Sequence, residues 1–389
     1  MSSWMIEADK LDREQSHFLK HELNTAGNKW IKGLAGSGKS ILLLHTLAEI
    51  KRKEPRASVG IIYFTHSLKQ MYIVGMNELK INATNMNFMT YIEYQKSEVR
   101  HKFDYILCDE VQDLTSHVLK LMRGNCKKLY ISGDPNQSIY TQDPSSGRDV
   151  VSVNDIANVT NSSEYPLTTI HRLTKSIISL ISILIPSLGI LTSKSNSMKK
   201  DVSVRSAQFE TEIEEVKYTF EEAMKAISID ESAVILLPTH TDISNFVGVH
   251  CDNNKIKRWQ EKKNKWQKPD YDDLNQYLDK SGIKLHYIGN GYGDLWNASK
   301  QGKIILMTYH SVKGLDFDNV FLPFLNDNAS IQNETIFMVA ISRSKDALLL
   351  SYSGNMHAYL RSISKNTVPI ITNKSVSEDE SLNLDDFDF

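Results

Sequence analysis

The stretch Gly33-Leu34-Ala35-Gly36-Ser37-Gly38-Lys39-Ser40 constrains this chain more than any other, because it fits G-x-x-x-x-G-K-[ST] at every fixed position. An apolar lead-in, Trp30-Ile31, reads as a short buried strand. The run Ile41-Leu42-Leu43-Leu44, followed by Leu47, Ala48 and Ile50, reads as a buried helix. Strand, glycine loop and helix N-terminus together make an anion cradle. The glycines let successive backbone N–H groups turn inward, and the helix dipole adds partial positive charge. Lys39 is placed to reach β- and γ-phosphates and the Ser40 hydroxyl to bind Mg²⁺, so a nucleoside triphosphate is the expected ligand.

The chain has 389 residues, enough for two or three ordinary domains. Its net charge of −2 points to no particular class of partner. Cys108, Cys126 and Cys251 lie far apart, without the pair spacing of a zinc site or a disulfide framework. The first residues lack the basic start and apolar core of a secretion signal. The most apolar run, Ile177 to Leu191, falls short of the roughly 20 residues a bilayer span needs, and Pro186 and Gly189 interrupt it. It reads as a core helix and its exit. A cytoplasmic protein without a membrane partner is expected.

Leu11 to Gln15 opens a helix ahead of the phosphate loop, and the amide of Gln15 could both donate to and accept from an adenine edge. Val59 to Phe64 reads as a second strand ending in Thr65-His66-Ser67, and Met86 to Tyr91 as a third apolar stretch. Phe103 to Cys108 is an apolar strand delivering Asp109 and Glu110. An acid in that place holds Mg²⁺, and a second orients and deprotonates the attacking water. Lys128 to Ser132 is another strand, followed by Gly133-Asp134-Pro135-Asn136-Gln137-Ser138-Ile139-Tyr140. Strands alternating with helices indicate a parallel sheet with ligands at the strands' carboxyl ends. Residues 141–164, rich in Ser, Asp and Asn, read as a loop-rich crossing. A second α/β segment follows, with buried strands at Ala233–Leu237, Ile304–Met307, Val320–Leu322 and Ala347–Leu350 and no phosphate loop of its own.

These motifs, in this order, resemble those of superfamily 1 helicases of the UvrD/Rep type. Gln15 fits the Q motif, Gly33 to Ser40 motif I, Asp109-Glu110-Val111-Gln112-Asp113 motif II, and Gly133 to Tyr140 motif III. Arg172 in His171-Arg172 fits motif IV, Met307 to Phe317 motif V, and Val339 to Lys345 motif VI. The resemblance implies an α/β fold of two RecA-like domains with parallel sheets and ATP in the cleft between them. It places the first domain at 1–164, the second at 165–372 with a basic insertion near 254–268, and a disordered acidic tail at 373–389. ATP would be held by Gln15, Gly33, Ala35, Gly36, Ser37, Gly38, Lys39, Ser40, His171, Gly314, Asp316 and Arg343, with Mg²⁺ on Ser40 and Asp109. Glu110 would be the general base, Gln137 the γ-phosphate sensor, and Arg172 and Arg343 arginine fingers from the second domain. Single-stranded nucleic acid would touch Phe64, Thr65, His66, Thr90, Tyr91, Tyr140, His310 and Ser311.

Departures from the family pattern carry their own expectations. His171 replaces the usual tyrosine, making adenine stacking weaker or pH-sensitive. After Tyr140 the sequence Thr141-Gln142-Asp143-Pro144-Ser145 replaces a tryptophan-bearing segment that would stack a base. The intervals from Tyr91 to Phe103 and from Arg172 to Thr308 leave no room for the large accessory subdomains, which implies a minimal motor.

The stretch from Lys255 to Lys268 is dense in positive charge. On a helix its Trp259 and Trp266 would share one face. It either supplies nucleic-acid contacts or is a solvated helix docked by its tryptophans, and the sequence leaves both open. The end, Asp385-Asp386-Phe387-Asp388-Phe389, resembles the tip of bacterial single-stranded-DNA-binding proteins. That tip suits a partner such as a nuclease, self-inhibition, or simple solubility. The expected activity is ATP-driven movement on single-stranded DNA, 3′ to 5′ as in the nearest relatives, with RNA left open because no motif reads the 2′-hydroxyl. The rival expectation is a nucleic-acid-gated ATPase that serves a partner nuclease, as in phage defence, without unwinding by itself.

Overall fold

The computed structural model describes residues 5–96, 102–134, 138–188, 194–195, 200–264, 267, 269–289, 291–363 and 370–372. The chain forms two compact units. The first comprises Ser2–Leu173 with Thr192–Lys199, and the second Thr174–Leu191 with Lys200–Phe389.

The first unit is built on β1 (Asn28–Gly33), β2 (Val59–Tyr63), β3 (Met86–Thr90), β4 (Phe103–Cys108), β5 (Cys126–Gly133) and β6 (Ser162–Leu167). These strands lie in the order β3-β2-β4-β5-β1-β6 and every pairing is parallel. Both faces of the sheet are covered. One core gathers Phe18, Leu42, Leu43, Leu47 and Tyr72, and the other Trp30, Ile106, Val118, Leu119 and Ile131. Such two-sided burial explains the apolar runs within the central strands, as in Ile61-Ile62, Ile106-Leu107-Cys108 and Leu129-Tyr130-Ile131. The strand β6 begins inside the expected crossing at 141–164 and runs three residues past its end. Ser162, Ser163 and Glu164 are polar because β6 is an edge strand, where one side of the ladder faces water. A two-stranded parallel ribbon, β7 (Thr169–Ile170) with β8 (Lys194–Ser195), completes this unit.

The second unit carries β9 (Ser203–Phe209), β10 (Ala233–Leu237), β11 (Leu285–Tyr287), β12 (Ile304–Thr308), β13 (Phe317–Leu322), β14 (Ser344–Ser353) and β15 (Ile370–Thr372). Their order is β11-β12-β10-β13-β14-β9-β15, again all parallel. With β11 set aside, the six remaining strands follow one another in space and in sequence as β1 to β6 do. The two units therefore share one topology, a parallel sheet with flanking helices of the RecA-like kind. The helix Lys175–Leu184 buries Ile177, Ile178, Leu180 and Ile181, so the most apolar run is a core helix as its pattern implied. Among the described residues no helix is long and apolar enough to cross a membrane.

The basic stretch differs from expectation. Residues 255–264 form no helix, so no helical face joins Trp259 to Trp266, which itself lies outside the described residues. Instead the Trp259 ring packs against the second unit's core, and its Nε1 donates to Asp273 at 2.9 Å. Arg258 folds back on Asp252, and Lys262 pairs with Asp273 at 2.5 Å. These longer-range contacts outweigh the modest helix preference of the lysines.

Candidate functional site

The phosphate loop leaves β1 at Gly33 and enters the helix Lys39–Lys53. Gly36 and Gly38 take φ of 76° and 81°, in the left-handed region open to glycine. A Cβ on Gly36 would lie 2.5 Å from Cβ of Arg172, and one on Gly38 would collide with the Gln15 amide. Lys39 Nζ donates to the carbonyls of Gly33 and Leu34 at 2.9 and 3.0 Å. The Ser37 hydroxyl is buried with no hydrogen-bond partner, and Ala35 is buried beside it. This cradle, with an ammonium curled over it and an orphaned hydroxyl inside, fits a bound phosphate chain.

The acids sit beside it. Ser40 Oγ donates to Asp109 Oδ2 at 2.5 Å, and Tyr72 Oη donates to the same oxygen at 3.0 Å. Asp109 Oδ1 accepts from the Ser132 hydroxyl and, at 2.9 Å, from the backbone N–H of Glu110. Burial first, and then the charge of Glu110, push the Asp109 carboxyl above its ordinary range. Glu110 is buried and takes φ of 56°, uncommon for a residue with a side chain. Gln112, fully buried, donates from Nε2 to Glu110 Oε2 at 2.5 Å and accepts from the N–H of Asp134 at 3.2 Å. Asp113 accepts from the N–H of Ile139 at 3.1 Å, so the segments after β4 and β5 are tied together. Gln137 lies outside the described residues.

A second ring of contacts encloses the loop from behind. Asp12 caps the helix Arg13–Lys20 through the N–H of Gln15, and its other oxygen meets His171 Nε2 at 2.5 Å. Gln15 donates to the carbonyl of Ser37 at 3.2 Å, and the N–H groups of His171 and Arg172 donate to Gly36 O at 2.8 and 3.2 Å. The first unit reaches Leu173, so His171 and Arg172 belong with the phosphate loop rather than after a boundary at 164. The cause is β6, whose Leu167 pairs with Gly33 and carries the chain past the loop. The Gln15 amide and the His171 ring are both committed to this enclosure in the structure.

At the carboxyl ends of β2 and β3, Phe64 stacks on Tyr91 with ring centroids 5.0 Å apart and lies 5.4 Å from Tyr140. Tyr91 is buried, and its hydroxyl donates to Asp143 at 2.7 Å. Asp143 also accepts from Ser145 N and from the Ser145 and Ser146 hydroxyls. Burial opposes its ionisation, but the bonds from Ser146, Tyr91 and Ser145 prevail and hold the carboxyl below its usual range. Thr90 is buried too, with Glu93 on its N–H and hydroxyl at 2.7 and 3.0 Å. In this conformation Thr90 and Tyr91 build the surface from beneath, whereas Phe64, Thr65 and Tyr140 remain partly exposed. The His66 side chain lies outside the described set.

In the second unit Arg343 is buried. Its guanidinium donates to Val339 O at 2.8 Å, to Ser342 Oγ at 3.0 Å and to Leu315 O at 3.5 Å, and stands 4.0 Å from Asp316. Gly314 turns left-handed at φ 86°. The segment after β12 and the end of the helix Glu334–Ile341 are thereby joined, bringing Gly314, Asp316 and Arg343 together. Ser311 is buried; its N–H donates to Thr308 Oγ1 at 3.2 Å, and the Thr308 hydroxyl donates to Ser311 Oγ at 2.9 Å. Half-buried His310 has its imidazole pKa lowered by burial.

Sequence reasoning gave Tyr72, Ser132, Thr239 and His240 no role. Tyr72 and Ser132 complete the Asp109 shell. Thr239-His240 follows β10 as Thr65-His66 follows β2, and Met307-Thr308-Tyr309 ends β12 as Met89-Thr90-Tyr91 ends β3. That pairing of short strings was the available signal.

Fold and site define a phosphate-loop α/β protein with paired parallel-sheet units. The chain carries superfamily 1 helicase domains of the UvrD/Rep type. Residues 51–142 match the UvrD/REP helicase N-terminal domain, which takes in Asp109 and Glu110. Residues 256–355 match the UvrD-like helicase C-terminal domain, which takes in Gly314, Asp316 and Arg343. No curated protein matches the chain. Similar solved structures include the PRRSV helicase (15% identity, 87% of this chain and 54% of that one, TM-score 0.43). Arterivirus nonstructural protein 10, a helicase, matches as well (14% identity, 87% of this chain and 61% of that one, TM-score 0.43). Its complex with DNA matches similarly (15% identity, 87% and 63%, TM-score 0.43). The chain spans between about half and two thirds of the length of those proteins.

Proposed function

We propose that this protein hydrolyses ATP with Mg²⁺ at the phosphate loop and couples turnover to movement along single-stranded DNA, 3′ to 5′. The observation that carries the reading is Asp109. A buried carboxylate bonded to the Ser40 hydroxyl at 2.5 Å, beside Glu110 and the glycine cradle, has the composition of a triphosphate and magnesium site. With nucleotide bound, Lys39 would exchange the Gly33 and Leu34 carbonyls for phosphate oxygens, and Ser40 and Asp109 would hold Mg²⁺, which would supply charge neutralisation to the phosphates. Glu110, oriented by Gln112, takes a proton from the attacking water on its carboxylate. Arg343, aided by Asp316 and Gly314, is the second unit's contribution to the transferring phosphoryl group, and a site shared in this way would couple turnover to domain closure. Phe64, Thr65 and Tyr140 in one unit, and His310 and Ser311 in the other, are the proposed strand contacts. The acidic tail at 373–389, with any partner it serves, lies outside the described residues.

The test is ATPase activity with single-stranded DNA, duplex DNA and RNA side by side, followed by displacement from partial duplexes tailed at the 3′ or 5′ end. Stimulation by single-stranded DNA, with displacement only from 3′ tails, is expected. Stimulation without displacement from either tail would favour a nucleic-acid-gated ATPase, and stimulation by RNA alone would overturn the DNA assignment.

A further inference from the structure

The phenol of Tyr72, like the Ser132 hydroxyl, bonds Asp109 and is left unused by the proposed chemistry. It is buried and donates to Asp109 Oδ2 at 3.0 Å, the oxygen that also accepts from Ser40. When Ser40 turns to a metal, the bonds from Tyr72 and Ser132 remain to fix both carboxylate oxygens.

Tyr72 lies on the helix His66–Glu78, whose cap is Thr65. Thr65 Oγ1 accepts from the N–H of Leu68 at 3.3 Å, so the proposed strand contact is built into the helix's first turn. Two helical turns separate that end from Tyr72, about 10 Å along the axis. Leu68 and Tyr72 share the face buried in the first unit's core. A rigid element therefore has a nucleic-acid contact at one end and a hydrogen bond to the metal carboxylate on its flank. We propose that Tyr72 is a positioning residue that transmits nucleic-acid occupancy at Thr65 to the metal-binding geometry of Asp109. This inference rests on the nucleotide-site and strand-contact reading above.

Coupling between two ligands is reciprocal and is measured at equilibrium, without turnover. A fluorescent ADP is titrated in Mg²⁺ with and without a saturating oligothymidylate, for the wild-type protein, Tyr72→Phe and Tyr72→Met. The wild-type protein should show a change in nucleotide affinity of about fivefold or more on oligonucleotide binding. In Tyr72→Phe, which keeps the ring in the core, the ratio should fall to within about twofold, a loss that a purely structural role would not produce. Tyr72→Met removes the hydroxyl by a second route, should one variant fold poorly. A folded variant that keeps the wild-type ratio overturns the inference, as does wild-type binding of both ligands without coupling. Failure of the wild-type protein to bind nucleotide, or undiminished binding by Lys39→Ala, would instead overturn the site reading on which it stands.

Discussion

Glu110 and Phe324 occupy the same place in their two sheets. Each is the second residue past a strand, β4 or β13, and each turns left-handed, at φ of 56° and 64°. In the first unit the turn presents a carboxylate beside Asp109, and the N–H of Glu110 donates to that aspartate. In the second, the N–H of Phe324 donates to Glu215 Oε1 at 2.7 Å, and Ser351 donates to the same oxygen at 2.8 Å. Ser351 follows the residue paired with Leu322, as Ser132 follows the residue paired with Cys108. Glu215, on the helix Glu212–Ser228, thus brings a carboxylate to the spot that Asp109 fills from a strand. The unit without a phosphate loop has kept the donors and satisfied them internally.

Glu215 makes stability depend on pH. Burial raises its carboxyl to about 7 despite bonds from Phe324, Ser351 and Ser353. A folded pKa above the unfolded one means the folded chain binds more protons between the two values. Its stabilising contribution is therefore complete below the unfolded carboxyl range and is lost as pH rises to about 7. Glu215→Gln keeps an acceptor oxygen and should be more stable than wild type at pH 8, on the order of 1–3 kcal/mol, with little difference at pH 4.5. Urea unfolding at both pH values measures this, and an advantage for the variant at pH 4.5 alone would contradict it.

The phosphate loop should not tolerate a side chain at Gly36. A Cβ there meets Arg172 Cβ at 2.5 Å, where the backbone itself must hold φ near 76°. Gly36→Ala should weaken nucleotide binding at least tenfold, because relief of the clash moves either the cradle or the His171–Arg172 bonds to Gly36 O. Titration with a fluorescent nucleotide decides it. Gly147→Ala, also left-handed but in open space, is the control for backbone strain alone.

Three substitutions should separate binding from hydrolysis. Lys39→Ala should lose triphosphate affinity. Glu110→Gln should bind ATP and turn it over roughly 10²- to 10⁴-fold more slowly. Arg343→Ala should lower turnover roughly 10³-fold, with Arg343→Lys checking that the loss is not one of folding, since the guanidinium also holds Val339 and Leu315. Wild-type turnover by a folded Arg343→Ala at saturating single strands would remove the second unit from the chemistry.

What was legible in the sequence was what is local in space. Gly33 to Ser40 could be read because a cradle of backbone N–H groups requires glycines at fixed spacing, and Asp109-Glu110 because the strand before them ends in the apolar run Tyr105 to Cys108. Strand β6 was missed because an edge strand need not be apolar. Tyr72 was missed because its partner lies 37 residues away across a helix-to-sheet contact, and a tyrosine in a helix looks like any core residue. The close tie of His171 and Arg172 to Gly36 depends on β6 and was hidden with it.

The basic segment offers the last prediction. Its charge and two tryptophans suggested either nucleic-acid contact or docking, and Trp259 is docked, with its ring on the second unit's core and Nε1 on Asp273. That packing and the Nε1 hydrogen bond are what the ring contributes to the fold. Trp259→Ala should therefore destabilise the protein by roughly 2–4 kcal/mol, about 1 kcal/mol less than for a fully buried large aromatic because the ring is only partly buried. Trp259→Phe should lose about 1 kcal/mol through the missing N–H donor. Oligothymidylate affinity under conditions where both variants are folded should stay within about twofold of wild type, whereas loss of a stacked base would cost roughly 1–3 kcal/mol of binding. Urea unfolding and oligonucleotide titration of the same preparations measure both quantities. A tenfold loss of affinity with unchanged stability would return Trp259 to the nucleic-acid interface.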